Sequence, residues 1–350
     1  QAQSLCGVGE KMLGRVINGL GEPIDGKGPI SYDAEVALDA KALNPMERGE
    51  VKDVLDTGIK AINGCLTFGK GQRMGLIAGS GVGKSVLMGM LTRNTAADVV
   101  VIGLICERGR EVQEFVQKTL GESGLARAVV IAAPVDVSPV MRIKAAKLTH
   151  SVAEYFAAKG NDVLLLFDSL TRVAHAQREI GLAVGEPPTT KGYTPSVFSL
   201  LPKLIERVGV GPGPQGTISA FYTVLAEGDD RSDPIVDIAR ATLDGQIMLS
   251  RELADAAHYP AIDLEGSISR IATNLVSADQ LRLAQRLRRY WTLYAQKQDL
   301  IQVGAYTEKT DPELDEAIRL RGTINAFLTQ GSEEAVDLAQ TFKQLKQTMN

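Results

Sequence analysis

The chain has 350 residues, of which 44% are hydrophobic and 23% are charged, and its net charge is -4. This balance is typical of a folded globular protein and excludes a largely disordered one. It also argues against a surface that neutralises many phosphates, so we expect no nucleic-acid partner. The 3 cysteines contain no CxxC pair and predict neither a disulfide framework nor a zinc site, which favours a reducing cytosol.

Short apolar runs alternate with segments of helical period between residues 73 and 250. This pattern is typical of a mostly parallel sheet with helices on both faces. The predicted strands are RMGLIAG, VVVIGLI, AVVIAAP, VLLLFD and GTISAFYTVL. The predicted helices between them are KSVLMGMLTRNT, REVQEFVQKTL, VMRIKAAKLTHSVAEYFAAKG and SLTRVAHAQREI. The predicted fold class is therefore α/β.

Only helical patterns follow residue 275, in three segments that begin near residues 278, 311 and 332. Asp311 and Ser332 are expected helix starts, because a short side-chain acceptor caps free amides and acidic residues follow each of them. These segments predict a helical C-terminal domain. The first contains the run RLAQRLRR, in which Arg282, Arg286 and Arg289 share one side and form either a solvated face or a docking surface.

The stretch GSGVGKS at 79–85 lies between a predicted strand and a predicted helix, as a phosphate-binding loop requires. Its glycines let backbone amides curl around phosphate oxygens, and the helix that follows adds a positive end. Lys84 would then reach the β- and γ-phosphates, and Ser85 would ligate magnesium. Ala78 occupies a position that is usually glycine. The predicted nucleotide-binding residues of this segment are Gly79, Ser80, Gly81, Val82, Gly83, Lys84, Ser85 and Val86.

Two acidic residues follow predicted strands at the same edge of the sheet. Asp168 ends VLLLFD, where it could hold magnesium or cap the helix that begins with SLTR. Glu107 follows VVVIGLI, where it could polarise the water that attacks the γ-phosphate or be one more solvated charge. Together with the loop at 79–85, the position of Asp168 favours the metal role, whereas spacing alone does not separate the two interpretations of Glu107.

Six segments carry a resemblance to a known family, namely AGSGVGKS, CERGREV, LLLFDSLTR, GEPPTTKGYTPSVFSLLPKLIER, GTISAFYTVLAEGDD and LDGQIMLSRELADAAHYPAIDLEGSISR. They look like the protein-export ATPases of the bacterial flagellum and of type III secretion systems. The segments AAPVDVSP, AHAQREIGLAVGEPPTTKGY and LIQVGAY favour the flagellar branch. The opening LGRVINGLGEPIDGKGPI is similar to the wider family that contains the catalytic subunit of rotary ATP synthases. The resemblance extends from about residue 12 to the C-terminal helices.

The resemblance implies a P-loop (RecA-like) ATPase core at 31–275 and a helical C-terminal domain at 276–350. Residues 1–30 would be a remnant of an N-terminal β-barrel and a linker. Because the sequence begins without methionine, we expect a fragment from which the barrel is missing. We expect such a fragment to be mostly monomeric and weakly active.

The resemblance also implies roles for individual residues. Glu107 matches the catalytic carboxylate, and Arg108 is the arginine beside it. Asp168 matches the acid that holds magnesium. Tyr259 matches a tyrosine that stacks on adenine, and Arg270 matches the arginine finger that completes the site of a neighbouring subunit.

Structural roles without a part in nucleotide binding remain as alternatives for Tyr259 and Arg270. From the residues alone, Tyr259 could be a core aromatic, and Arg270 could be a surface residue paired with Asp263 or Glu265. Cys106 departs from the family pattern, which has glycine before the catalytic glutamate.

The predicted function is that of a homohexameric ATPase that uses ATP and Mg²⁺ to energise protein export, releasing chaperones and unfolding substrates. Expected partners are export chaperones, secreted substrates, and stalk and stator proteins. We expect the enzyme in the cytoplasm, peripheral to the export gate of the inner membrane. The alternatives are a non-catalytic nucleotide-binding ring subunit, disfavoured by Glu107, and a ring helicase, disfavoured by the acidic balance.

Overall fold

A nine-stranded, mostly parallel sheet forms the centre of the computed structural model, which describes residues 4–40, 44–225 and 233–350. The spatial order is β11-β10-β4-β9-β7-β5-β6-β2, with β8 paired to β9. The strands in chain order are β1 (Leu5–Val8), β2 (Arg15–Ile17), β3 (Ala34–Ala37), β4 (Arg73–Ala78), β5 (Val99–Ile105), β6 (Ala128–Ala133), β7 (Val163–Asp168), β8 (Gly209–Val210), β9 (Thr217–Leu225), β10 (Gly245–Leu249) and β11 (Ile262–Ser269).

Helices cover both faces of this sheet. They are α1 (Lys60–Cys65), α2 (Lys84–Asn94), α3 (Gly109–Glu114), α4 (Gly121–Ala126), α5 (Pro139–Ala158), α6 (Leu170–Ala183), α7 (Pro195–Ile205), α8 (Pro234–Thr242), α9 (Arg251–Asp255), α10 (Ala272–Leu275), α11 (Ala278–Gln302), α12 (Pro312–Leu328) and α13 (Leu338–Thr348). A π-helical turn, Phe115–Leu120, joins α3 to α4. Within the described ranges, no helix is both long and apolar enough to cross a membrane.

The predicted α/β class is confirmed. The five predicted strands are β4, β5, β6, β7 and β9, which lie side by side in the sheet and run parallel to one another. Their residues are almost all buried, as expected for strands that helices cover on both faces. The four predicted helices correspond to α2, α3 with its π-helical turn, α5 and α6, with ends that differ by a few residues.

The N-terminal segment contributes to two sheets. β1 pairs with β3 in a separate antiparallel sheet, whereas β2 runs parallel to β6 at the edge of the large sheet. A 2.7 Å salt bridge between Arg15 and Asp25 holds the loop after β2. The predicted boundary near residue 30 therefore falls after a strand of the core sheet, and the domain division stays a prediction.

Two hydrophobic cores lie on opposite faces of the sheet. One contains residues of α5, α6, α7 and α8. The other contains residues of α1 and α2 together with Trp291, Ile324 and Phe327 of the C-terminal helices. The C-terminal helices therefore share a core with the helix that follows the predicted phosphate loop.

The arginine run on α11 is used mainly within the chain. Arg286 lies 3.4 Å from Glu316 of α12, and Arg289 forms a salt bridge with Glu313 at the start of the same helix. Arg282 pairs with Asp279 one turn earlier on α11. The run therefore helps to join α11 to α12.

The predicted helix start at Asp311 is confirmed, because its side chain accepts hydrogen bonds from the first amides of α12. The predicted start at Ser332 is wrong. α13 begins at Leu338, where Asp337 is the cap. Residues 330–336 form a turn instead, whose carbonyls accept hydrogen bonds from Arg93 and Asn94 at the end of α2. Those tertiary bonds compete with the helical bonds that the local sequence favours.

Candidate nucleotide site

The segment 79–85 forms a tight loop between β4 and α2. Gly81 and Gly83 have φ angles of 75° and 87°, in the left-handed region that favours glycine. α2 begins at Lys84, so the first amides of a helix face the loop. Ala78 is the last residue of β4 and has strand geometry, which explains why alanine is accepted there.

A cleft of about 900 Å³ opens above this loop. Every predicted loop residue lines it except Val82, whose side chain is only 2% exposed and packs into the core. A contact between Val82 and a phosphate would therefore come from its backbone amide. The other residues that line the cleft are Ala78, Cys106, Glu107, Arg108, Glu111, Val135, Arg172, Leu225 and Arg251.

Lys84 and Asp168 form a close ion pair beside the cleft. Lys84 Nζ lies 2.7 Å and 2.5 Å from the two carboxylate oxygens, and Thr223 donates a hydrogen bond to Oδ1 at 2.6 Å. Asp168 does not cap α6, because the cap is Ser169, whose side chain accepts from the Arg172 amide. The helix-cap interpretation of Asp168 is therefore wrong, and its carboxylate faces the phosphate-loop lysine.

Glu107 completes an acid pair around the same lysine. Its Oε1 lies 3.8 Å from Lys84 Nζ. Burial, and next the negative charge of Asp168, raise the pKa of Glu107 to about 7, although Lys84 opposes the shift. A general base works best when its pKa lies near the operating pH. Glu107 can therefore exchange a proton near neutral pH.

Tyr259 lies beside the phosphate loop rather than in the core. Its side chain is 44% exposed. A Cβ atom placed on Gly83 would lie 3.4 Å from two carbons of the tyrosine ring, so the ring rests against the loop. An aromatic ring in this position can stack on the base of a nucleotide whose phosphates occupy the loop.

Arg270 is exposed and does not line the cleft. Its guanidinium donates hydrogen bonds to the carbonyls of Leu243 at 3.1 Å and Arg240 at 2.9 Å. In the described part of the chain, no salt bridge joins it to Asp263 or Glu265, so the surface-pair interpretation is wrong. The position of Arg270 allows contact with a neighbouring molecule.

A match to a protein-family model over more than half of the chain decides the family. Residues 58–269 match the model of the ATP synthase alpha/beta family, nucleotide-binding domain. The chain belongs to this family. Residues 276–347 match a second family model, the C-terminal domain of the type III secretion ATPase EscN.

Individual members of the family are similar over nearly the whole chain. The flagellum-specific ATP synthase of Pseudomonas aeruginosa is 55% identical over 95% of this chain and 74% of that protein. The type 3 secretion system ATPase of Xanthomonas euvesicatoria is 51% identical over 93% of this chain and 74% of that protein. The assembled EscN of enteropathogenic E. coli, solved with its central stalk EscO, gives a TM-score of 0.92 at 42% identity and covers 99% of this chain and 83% of that one.

These findings confirm the resemblance to export ATPases and the prediction that the chain is an ATPase. The predicted P-loop core and helical C-terminal part are confirmed as well. Roles for single residues are not tested by these matches, so they stay predictions that the geometry of the site supports.

Three arginines lie at the cleft of this family member. Arg108 was predicted, and its side chain is 81% exposed, 3.9 Å from Glu111. The sequence analysis missed Arg172 and Arg251. Arg172 Nε is buried and has no hydrogen-bond partner in the part of the chain that the structure describes. Arg251, the first residue of α9, donates to the carbonyl of Ser80 at 2.7 Å.

Only Arg172 carried a signal in the sequence. It follows Asp168 by four residues, in the first turn of a helix that leaves the same edge of the sheet. Arg251 is far from the loop in sequence and reaches it only because β10 lies beside β4.

The donors at the cleft fit a magnesium ion that arrives with a nucleotide. Mg²⁺ keeps several waters and is usually held by one or two protein ligands plus substrate phosphates. Ser85 is exposed at the cleft, and the carboxylate of Asp168 is bonded to the neighbouring Lys84. One hydroxyl and one carboxylate match the small number of protein ligands that nucleotide-bound magnesium needs. Among residues 4–40, 44–225 and 233–350, no group of three or more His, Cys, Asp or Glu could hold a metal ion.

Cys106, where the resemblance implies a glycine, has a left-handed backbone with φ at 65° and a buried side chain. Left-handed geometry costs roughly 1–2 kcal/mol in other residues, and more in β-branched ones. We expect Cys106→Val to lower the free energy of unfolding by about 2 kcal/mol and Cys106→Gly to change it by less than about 1 kcal/mol. Urea denaturation of both variants measures this difference. Equal stability of the two would show that the left-handed backbone at residue 106 is not a constraint.

Proposed function

We propose that this ATPase energises protein export as a ring of identical subunits, in which Arg270 of one subunit completes the cleft of the next. The observation that carries the proposal is that the predicted catalytic residues do not all lie at the cleft of one chain. Lys84, Asp168 and Glu107 meet at the cleft within one chain, whereas Arg270 is exposed and lies outside it. Arg108, Arg172 and Arg251 already line the cleft, and in this proposal Arg270 of the neighbouring subunit adds the arginine that an isolated subunit lacks.

Each residue has a distinct task in this proposal. Lys84 neutralises charge on the β- and γ-phosphates, and Glu107 orients the attacking water and takes its proton. Arg270 stabilises the charge that develops on the γ-phosphoryl oxygens. Ser85 and Asp168 would hold magnesium, which when bound offsets the negative charge of the phosphates.

The wider setting is also proposed from the relatives. The similar EscN was solved as an assembled ATPase with a central stalk. We infer a homohexamer for this chain, with stalk and stator proteins, export chaperones and secreted substrates as partners. We place the ring in the cytoplasm, peripheral to the export gate of the inner membrane.

Chaperone release tests the function. A purified chaperone–substrate complex from a flagellar export system is mixed with the ATPase and Mg²⁺, and free chaperone is measured by gel filtration. We expect release with ATP, no release with a non-hydrolysable analogue, and none when EDTA removes magnesium. Equal release with the analogue, or no release with ATP, would contradict hydrolysis-driven export and favour a non-catalytic ring subunit.

A further inference from the structure

Gln330 lies just after α12 and is buried, with 7% of its surface exposed. Its side-chain Oε1 accepts a hydrogen bond from the Lys60 amide at 2.8 Å. Its Nε2 donates to the carbonyl of Gly58 at 2.8 Å and to that of Glu334 at 2.9 Å. One amide therefore joins the segment before α1 to the C-terminal turn 330–336.

The bond to Lys60 caps a helix from a distant part of the chain. Lys60 is the first residue of α1, and the preceding Ile59 makes no side-chain cap. The first amides of a helix need acceptors from outside it. Because Gln330 supplies one, the start of α1 depends on the position of the C-terminal helices.

The same residue also reaches the nucleotide side of the molecule. The backbone N–H of Gln330 donates to the carbonyl of Tyr259 at 2.9 Å. The adjacent His258 pairs through Nδ1 with Asn325 of α12 at 2.9 Å. The backbone of Tyr259 and the side chain of His258 are thus held by the turn after α12 and by α12 itself. The ring of Tyr259 rests against Gly83.

The 330–336 turn also touches the far end of the phosphate-loop helix. Arg93 and Asn94, at the end of α2, donate to the carbonyls of Ser332 and Glu334 at 2.7 Å and 3.0 Å. The turn therefore contacts the start of α1, the far end of the phosphate-loop helix α2 and the segment of Tyr259. A change in the seating of the C-terminal helices would move the ring relative to the loop.

We propose that Gln330 is a positioning residue for the nucleotide base. Its side chain ties the 330–336 turn to Gly58 and Lys60, and its backbone N–H holds the carbonyl of Tyr259. Base binding would therefore depend on how the C-terminal helices sit on α1. The inference rests on the proposed base-stacking role of Tyr259. The phosphate contacts are expected to depend less on Gln330, because its side chain bonds to Lys60, Gly58 and Glu334 and not to α2 or the loop 79–85.

The test compares a nucleotide with a ligand that has no base. We expect Gln330→Ala to raise KM for ATP about tenfold, the scale of one lost base–aromatic stack, and to leave kcat within about twofold. The inhibition constant of inorganic tripolyphosphate should not change, because tripolyphosphate lacks a base. Gln340→Ala removes an exposed glutamine of α13 and is the matched control, with KM unchanged.

A second variant covers the case in which Gln330→Ala does not fold. Gln330→Glu keeps an acceptor for the Lys60 amide but brings a carboxylate towards the carbonyls of Gly58 and Glu334. We expect the same rise in KM and the same constant inhibition by tripolyphosphate. In a Tyr259→Ala background, neither substitution at residue 330 should raise KM further, because the aromatic ring that Gln330 positions is absent.

Three results would overturn the inference. A parallel rise in the inhibition constant of tripolyphosphate would mean that Gln330 acts on the phosphate loop or the whole fold. Effects of Gln330→Ala and Tyr259→Ala that multiply would mean that the two residues act independently. An unchanged KM in Tyr259→Ala alone would remove the base-stacking role and this inference, while hydrolysis through Glu107 would stand.

Discussion

Replacing Glu107 with glutamine is expected to lower kcat for ATP hydrolysis about 10³-fold, within the range that a general base contributes. Glutamine keeps the shape of the side chain but cannot take a proton from water. The Lys84–Asp168 pair remains, so ATP should still bind. Phosphate release measures kcat, and a fluorescent ATP analogue measures binding.

The control is Glu114→Gln, a more exposed acid on α3 that pairs with Arg110. It should hydrolyse ATP at the wild-type rate. If Glu107→Gln kept the wild-type kcat, the proton would go elsewhere, and the raised pKa of Glu107 would have no catalytic meaning. If the variant lost ATP binding as well, Glu107 would contribute to binding ATP rather than only to the hydrolysis step.

Replacing Arg270 with alanine is expected to lower kcat about 10³-fold or more, as for other arginine fingers. Among the described residues, the Arg270 side chain makes two hydrogen bonds, both to backbone carbonyls, so its loss should cost little stability. The wild-type rate per subunit should rise with protein concentration, because the cleft is completed only on association. Arg270→Ala should flatten that rise.

Arg282→Ala is the matched control, because Arg282 is also exposed and pairs with the exposed Asp279 of the same helix. Its rate should follow the wild-type concentration dependence. A constant rate per subunit in the wild type, with a silent Arg270→Ala, would mean that hydrolysis is completed within one chain.

The centre of the sheet was predictable because its strands are buried on both faces and are therefore continuous apolar runs, such as VVVIGLI. β10 and β11 were not predicted. Their residues alternate between buried and partly exposed positions at the edge of the sheet, so no apolar run marks them. The wrong helix start at Ser332 has a different cause, since the bonds that hold the turn 330–336 come from α1 and α2.

The phosphate loop was predictable because it is one continuous segment of the sequence. The residues around it come from distant segments, so they were harder to predict. Asp168 and Lys84 meet because β7 and β4 both border β9, which sequence spacing does not reveal. The sequence favoured the cleft over a helix cap for Asp168, and the structure agrees because Ser169 caps α6. Arg251 reaches the phosphate loop, and Gln330 reaches the start of α1, from distant segments, so only the tertiary fold reveals these contacts.

The most direct test of a site shared between subunits mixes two inactive variants. Glu107→Gln subunits keep Arg270, and Arg270→Ala subunits keep Glu107. In a ring of head-to-tail contacts, about a quarter of the interfaces of an equal mixture would contain both intact residues. We predict that the mixture hydrolyses ATP far faster than either variant alone, approaching about a quarter of the wild-type rate. A mixture no more active than its components would contradict completion of the cleft by the neighbouring subunit.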